Sequence, residues 1–171
     1  MLNEEQLKTL QPAILGMQII SGALVFGALM ACAGLFLINS TRQFNSTLGI
    51  LTGLGILMAA INIVAALIIP SLMRKSSLNE LRKLLTGDQK ETEQATLESA
   101  AASVARFQIV RFALIEGAIF INLLFWFVEG SLYGWVAIAV GFVLMIAFFP
   151  YPNRAANSID ELLAEAKGVR T

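Results

Sequence analysis

Charge is missing from four stretches of this chain, and the gaps set the reading of the rest. Residues 12–38, 48–69 and 135–149 contain no Asp, Glu, Lys or Arg, and 112–128 contain one, Glu116. A helix needs about 20 apolar residues to cross a hydrocarbon core. The first two stretches meet that length directly. The third does so if it begins near Phe107 and takes in Arg111, and the fourth if it runs from Ser131 to Pro150. No water inside a bilayer satisfies an open backbone, so such spans are helices. No alternating segments of the kind that build membrane barrels occur. The pattern predicts four transmembrane helices over about 12–38, 48–70, 107–128 and 131–150.

The polar segments between the spans carry their own period. Pro70 and Pro150 are expected to close the second and fourth spans, because proline stops a helix. Ser77-x-x-Glu80 and Ser158-x-x-Glu161 read as capping boxes that open new helices. Gly87 and Gly168 read as their C-caps. Leu78, Leu81, Leu84 and Leu85 give one apolar stripe, and Ile159, Leu162, Leu163 and Ala166 another. The prediction is two short amphipathic helices, 77–86 and 158–167, at the membrane surface, packed against protein rather than on lipid. Shifted by about 80 residues, Pro70, Arg74, Ser77, Glu80 and Gly87 fall on Pro150, Arg154, Ser158, Glu161 and Gly168. The chain therefore reads as two tandem hairpins, 1–87 and 88–171, each followed by an amphipathic cytoplasmic helix. A stalk helix over about 89–106, opened by Asp88 with Glu91 or by Thr92, is expected to run unbroken into the third span.

Composition agrees with this class. Of 171 residues 57% are apolar and 14% charged, with net charge zero, and the mean hydropathy is +0.73. One cysteine and no histidine exclude an internal disulfide and the common zinc and iron sites. A neutral chain without a basic stripe argues against nucleic acid. The basic residues give an orientation. Lys8, Arg74, Lys75, Arg82, Lys83, Lys90, Arg106, Arg154, Lys167 and Arg170 fall on one side of a four-span arrangement, and Arg42 alone falls on the other. By the positive-inside rule both termini are cytoplasmic, and a bacterial inner membrane suits the short outer loops. Arg111 sits where it can snorkel to the cytoplasmic face. The leader before the first span is not basic, so that span is expected to stay as an anchor. Two sequons, at Asn39 and Asn45, lie too near the membrane to serve as glycan acceptors.

Candidate chemistry centres on Glu116. A span beginning at Phe107 places it about 14 Å deep, near the midplane. A charge there is costly and calls for a partner facing the bundle. Gln18 on the first span, Asn62 on the second, and Asn122 and Arg111 on the third are the candidates to join Glu116 in an intramembrane polar or ion site. The structural alternative is a carboxyl that hydrogen-bonds helices together. Small residues form the second set: Gly27 and Ala31 on the first span, Gly49, Gly53, Gly55 and Ala59 on the second, and Gly117 beside the acid. Such spacings permit close helix contact within the chain or between copies. No Walker loop, dinucleotide fingerprint, nucleophile with a base, or cofactor-binding motif occurs, so no enzyme is expected.

The stretch Arg111–Phe120, RFALIEGAIF, resembles the carboxylate helix of rotary ATPase proteolipids, and the glycines of the first span echo that family's glycine-rich helix. It departs from the family in placing the acid on the third span and in its long middle loop. The Ala113-Leu114-Ile115-Glu116-Gly117 run, with a proline-terminated fourth span and short acidic tail, is similar to small four-span bacterial membrane proteins of unknown function. That resemblance implies a fold but no activity. The expectation is an all-α, four-span, non-enzymatic component in the lipid bilayer, a homo-oligomer or part of a larger membrane complex. The alternative is a proton or cation conductor that uses Glu116.

Overall fold

A computed structural model describes residues 4–38, 46–86 and 93–168. These form five helices, α1 (Glu4–Ile38), α2 (Ile50–Thr86), α3 (Glu93–Glu129), α4 (Leu132–Ala147) and α5 (Pro152–Ala166), with no strand among them. The sequons at Asn39 and Asn45, the expected cap at Gly87 and the expected start of the stalk at 88–92 lie outside the described residues. Helices α1, α2 and α3 are long and apolar enough to cross a membrane, and a fourth span is available if α4 and α5 count as one broken span. At 35, 37 and 37 residues the first three are about 52–55 Å long. That exceeds a hydrocarbon core of roughly 30 Å by several turns at least.

The second helix departs from expectation. Pro70 does not close it, and Ser77 does not open another, because α2 runs through both to Thr86. Proline removes the N–H that would bond the carbonyl four residues back. At Pro70 that carbonyl belongs to Ala66, and the Arg111 side chain supplies the missing donor, Nε to O at 3.3 Å. The same loss at Pro12, inside α1, falls on the carbonyl of the exposed Lys8, where water can replace it. With its backbone deficit met, α2 continues, and Ser77 is buried in its interior.

The fourth helix does end before Pro150. Helix α5 then begins at Pro152 and not at Ser158, which lies inside it. Tyr151, between two prolines, has φ −57 and ψ 147, the extended conformation that a following proline imposes. Pro152 then occupies the first helical turn, where its fixed φ and missing N–H cost nothing. Helix α5 ends at Ala166, and Gly168 just beyond it has a φ of +74, which suits glycine. The backbone N–H of Lys167 bonds Leu163 and that of Gly168 bonds Glu165. Helix α3 runs unbroken from Glu93 to Glu129.

The helices form two compact units, each drawing on both halves of the sequence: residues 1–21, 68–110 and 150–171, and residues 22–67 and 111–149. The first unit is a small core under a charged surface. Leu10, Ile14 and Met17 of α1, Leu78 and Leu81 of α2, and Leu97, Ala100 and Ala101 of α3 pack with Ala155, Ile159, Leu162, Leu163 and Ala166 of α5. The apolar stripes of 78–81 and 159–166 are thus covered by protein. Leu85 differs from its stripe and is exposed. Each fully buried Leu or Ile here contributes about 1.5–3 kcal/mol.

The second unit is apolar outside as well as inside. Phe26, Met30, Leu37, Leu57, Ile61, Val64, Leu124, Val136, Val143 and Ile146 are all more than half exposed. Of the 24 charged residues in the sequence, this unit holds Arg42, Arg111, Glu116 and Glu129. Water-soluble surfaces do not expose apolar side chains on this scale. Helix α3 is its hub. Phe112, Ile115, Ile119, Leu123 and Trp126 are buried and pack with Ala28 and Cys32 of α1, Ala66 of α2, and Ile138 and Met145 of α4.

Candidate functional site

The five polar residues singled out in the sequence fall in different units. Gln18 belongs to the charged unit, where its amide nitrogen donates to the carbonyl of Pro150 at 3.2 Å. The other four lie in the apolar unit. The amide nitrogen of Asn122 is buried and donates to the carbonyls of Gly55, at 3.1 Å, and Ala118, at 2.9 Å. This ties α3 to α2. Its Oδ1 is buried with no hydrogen-bond donor. Arg111 turns inward. Besides bonding Ala66, its guanidinium lies over the Phe148 ring, 4.7 Å from the centroid. These contacts engage, within the chain, the side chain that the sequence reading turned toward the cytoplasmic face.

Glu116 and Asn62 remain. Glu116 is half-buried on α3, and its carboxyl lies against Gly27 of α1, with Oε1 3.7 Å from where a Cβ would stand. Gly27 thus leaves room for the acid, and the next residue, Gly117, leaves room for Asn62, whose Nδ2 would be 3.6 Å from a Cβ. The two glycines place these polar groups beside α3 without a direct bond between them. Among the described residues no group of three or more His, Cys, Asp or Glu could hold a metal ion.

The small residues divide by their neighbours. A Cβ at Gly55 would meet Phe125 at 2.7 Å and Asn122 at 2.9 Å, so α2 and α3 touch there. Ala59 is buried, one turn further along that line. Ala31 is half-buried near the core. Gly53 has nothing within 4 Å and takes no part in packing within the chain. Gly49 stands against the Glu129 side chain.

Glu129 was not among the candidates, and it makes the densest polar contact of the apolar unit. Its carboxylate accepts from the N–H of Leu51 at 2.9 Å, the N–H of Thr52 at 2.8 Å and the Thr52 hydroxyl at 2.6 Å. The end of α3 thereby caps the start of α2, where unbonded N–H groups and the helix dipole favour an anion. Beside it Gly130, with φ +70, turns the chain, and Ser131 donates to the carbonyl of Thr47 at 3.0 Å. Glu129 lies beyond the 107–128 span, and the Thr52 hydroxyl bond, followed by the backbone bonds, holds its carboxyl below the usual range. A depressed folded pKa adds stability that is fully present above the unfolded pKa and is lost as pH falls through the folded one. Glu129→Gln is therefore expected to lower the thermal midpoint by about 2–5 °C at pH 7. It is also expected to flatten the loss of stability as pH falls through the acid range, as read by thermal unfolding across pH. An unchanged acid limb would show that this carboxylate is not the group titrating.

In the charged unit, Glu5, Gln6, Thr9, Glu93, Gln94 and Leu97 line an open cleft of about 280 Å³. The Gln6 amide donates to Glu93 across it at 2.7 Å. Comparison with known protein families, with curated protein sequences and with solved structures finds no match for the chain.

Proposed function

We propose that the chain is an integral membrane protein of four spans, arranged as two related hairpins with both termini cytoplasmic, in a bacterial inner membrane. Its role on this reading is non-enzymatic: an assembly or accessory component that self-associates or joins a larger membrane complex. One observation carries the reading. The polar groups of the apolar unit act as links between its helices, Arg111 to α2, Asn122 to α2 and Glu129 to the start of α2. Groups used in this way support a rigid scaffold better than a path for solute. The outward apolar faces of α1, α2 and α4, and Gly53 with open space beside it, leave surface for lipid or for other spans.

The second reading, a proton or cation conductor, is favoured by Glu116 alone. Its half-buried carboxyl rests in the space left by Gly27. The substitution Glu116→Gln separates the two, because the amide keeps the shape but cannot exchange a proton. The expected result is an unchanged intact mass of the complex after gentle extraction, with no proton or sodium flux in proteoliposomes from either form. Flux in the parent protein that stops in Glu116→Gln would instead establish the conductor.

A further inference from the structure

Of the three charged side chains described in the apolar unit, two are used within the chain. Arg111 bonds the Ala66 carbonyl and lies over Phe148, and Glu129 accepts from Leu51 and Thr52. Glu116 differs. Among the described residues it has no hydrogen bond and no ion pair. Nor is it sealed in. Ala113, Phe120 and Leu124 are exposed, and their spacing sets them with Glu116 on one stripe of α3. Gly27 of α1, against which the carboxyl lies, is exposed as well. Gly117 borders the same stripe and admits Asn62 of α2, whose amide also has no bond among the described residues. The outward stripe of α3 thus carries a half-buried acid with an amide near it, framed by apolar side chains. In a hydrocarbon core such an acid is costly until a donor reaches it.

We propose that Glu116 is the docking point for a transmembrane helix of a different protein, one that carries a lysine or arginine and lies along this stripe of α3. This names the partner of the accessory reading above and rests on that reading. Charge complementarity selects the occupant, because a wholly apolar helix would cover the carboxyl and leave it unpaired. A second copy of the chain does not supply the cation. Its spans hold one basic residue, Arg111, which is committed to Ala66 and Phe148. An ammonium group has three donors, so it suits a carboxylate with an amide oxygen near it.

The test uses the full chain in phosphatidylcholine vesicles with synthetic apolar helices. These carry no lysine, or one lysine placed a third, a half or two thirds along, so that no depth is assumed. Energy transfer between labelled chain and labelled peptide reads binding. The expected result is that at least one lysine peptide binds about tenfold more tightly than the lysine-free peptide. The preference should vanish in Glu116→Leu, which should bind the lysine-free peptide as the parent does. It should be reduced but present in Glu116→Gln, which keeps an acceptor. No lysine preference in the parent, or one that Glu116→Leu retains, overturns the docking point. Should Glu116→Leu fail to insert, an undiminished preference in Glu116→Gln overturns it instead. The intact mass of the native complex keeps the two readings apart. A second chain in the complex without a lysine preference overturns the docking point alone, whereas a monomer overturns the assembly reading itself.

Discussion

Replacing Arg111 with methionine is expected to destabilise the fold by about 2–3 kcal/mol, the cost of leaving a buried acceptor without its charged donor. The acceptor is the carbonyl of Ala66, a residue 1% exposed, and it lacks a helical donor because Pro70 stands four residues on. Water cannot take the place of Arg111 in an apolar unit as it can at Lys8. A bond that serves the proline predicts a coupling that a general loss of packing would not. Pro70→Ala restores an N–H to that carbonyl, so Arg111→Met in the Pro70→Ala background should cost less by about 1 kcal/mol or more. Part of the cost should persist, because the contact with the Phe148 ring contributes about 0.5–2 kcal/mol whatever stands at position 70. Equilibrium unfolding in mixed micelles of the four proteins in this cycle measures the coupling. Equal costs in both backgrounds would show that Arg111 does not serve the proline.

The second large effect is expected at Gly141, a residue the sequence did not mark. A Cβ there would stand 2.5 Å from Cγ1 and 3.0 Å from Cδ1 of Ile119. Ile119 is fully buried in the hub helix, so its side chain would have to shift within the core. Gly141→Ala should therefore cost about 1–3 kcal/mol by overpacking, although alanine is the better helix former by roughly 1 kcal/mol. Combining it with Ile119→Ala should cost less than the sum of the two single changes, because the truncation removes the clash. At Gly53, where nothing lies within 4 Å, the same substitution should be neutral or slightly stabilising within the chain. A loss at Gly53 only in the assembled complex would locate a contact between copies or with a partner. Thermal unfolding in detergent and the intact mass of the complex separate these outcomes.

Much of the helical layout was legible because it depends on local composition and period. Long uncharged runs make long helices wherever the backbone must satisfy itself, and α1, α2 and α3 each take in most or all of one such run. The stripes of Leu78, Leu81, Leu84 and Leu85, and of Ile159, Leu162, Leu163 and Ala166, follow a 3.6-residue period, and six of the eight are buried, Leu84 being half-buried and Leu85 exposed. Gly168 closes α5 because a position of positive φ selects glycine whatever surrounds it. The start of α5 was legible too but was misplaced. Pro150-Tyr151-Pro152 is a sharper signal than Ser158-x-x-Glu161, since proline constrains the backbone itself, while a capping box only rewards a start that geometry permits.

What the tertiary structure decided is which local signals prevail. Pro70 reads as a stop, and α2 continues because Arg111, 45 residues away in sequence, supplies the missing bond. Glu129 is an ordinary acid at a helix end until the fold brings it to the first N–H groups of α2, 77 and 78 residues distant. Gly53 and Gly141 are alike as letters, yet one faces open space and the other touches Ile119. Gln18, Asn122 and Arg111 share a polar chemistry, and the fold gives each a different carbonyl, of Pro150, of Gly55 and Ala118, and of Ala66. Helical content, the glycine that closes α5 and most of the apolar stripes are properties of neighbours along the chain, so the sequence by itself determined them. Whether a proline breaks, a glycine packs or a carboxylate caps depends on the donor, side chain or helix end that folding carries to it, and that is set only when distant segments meet.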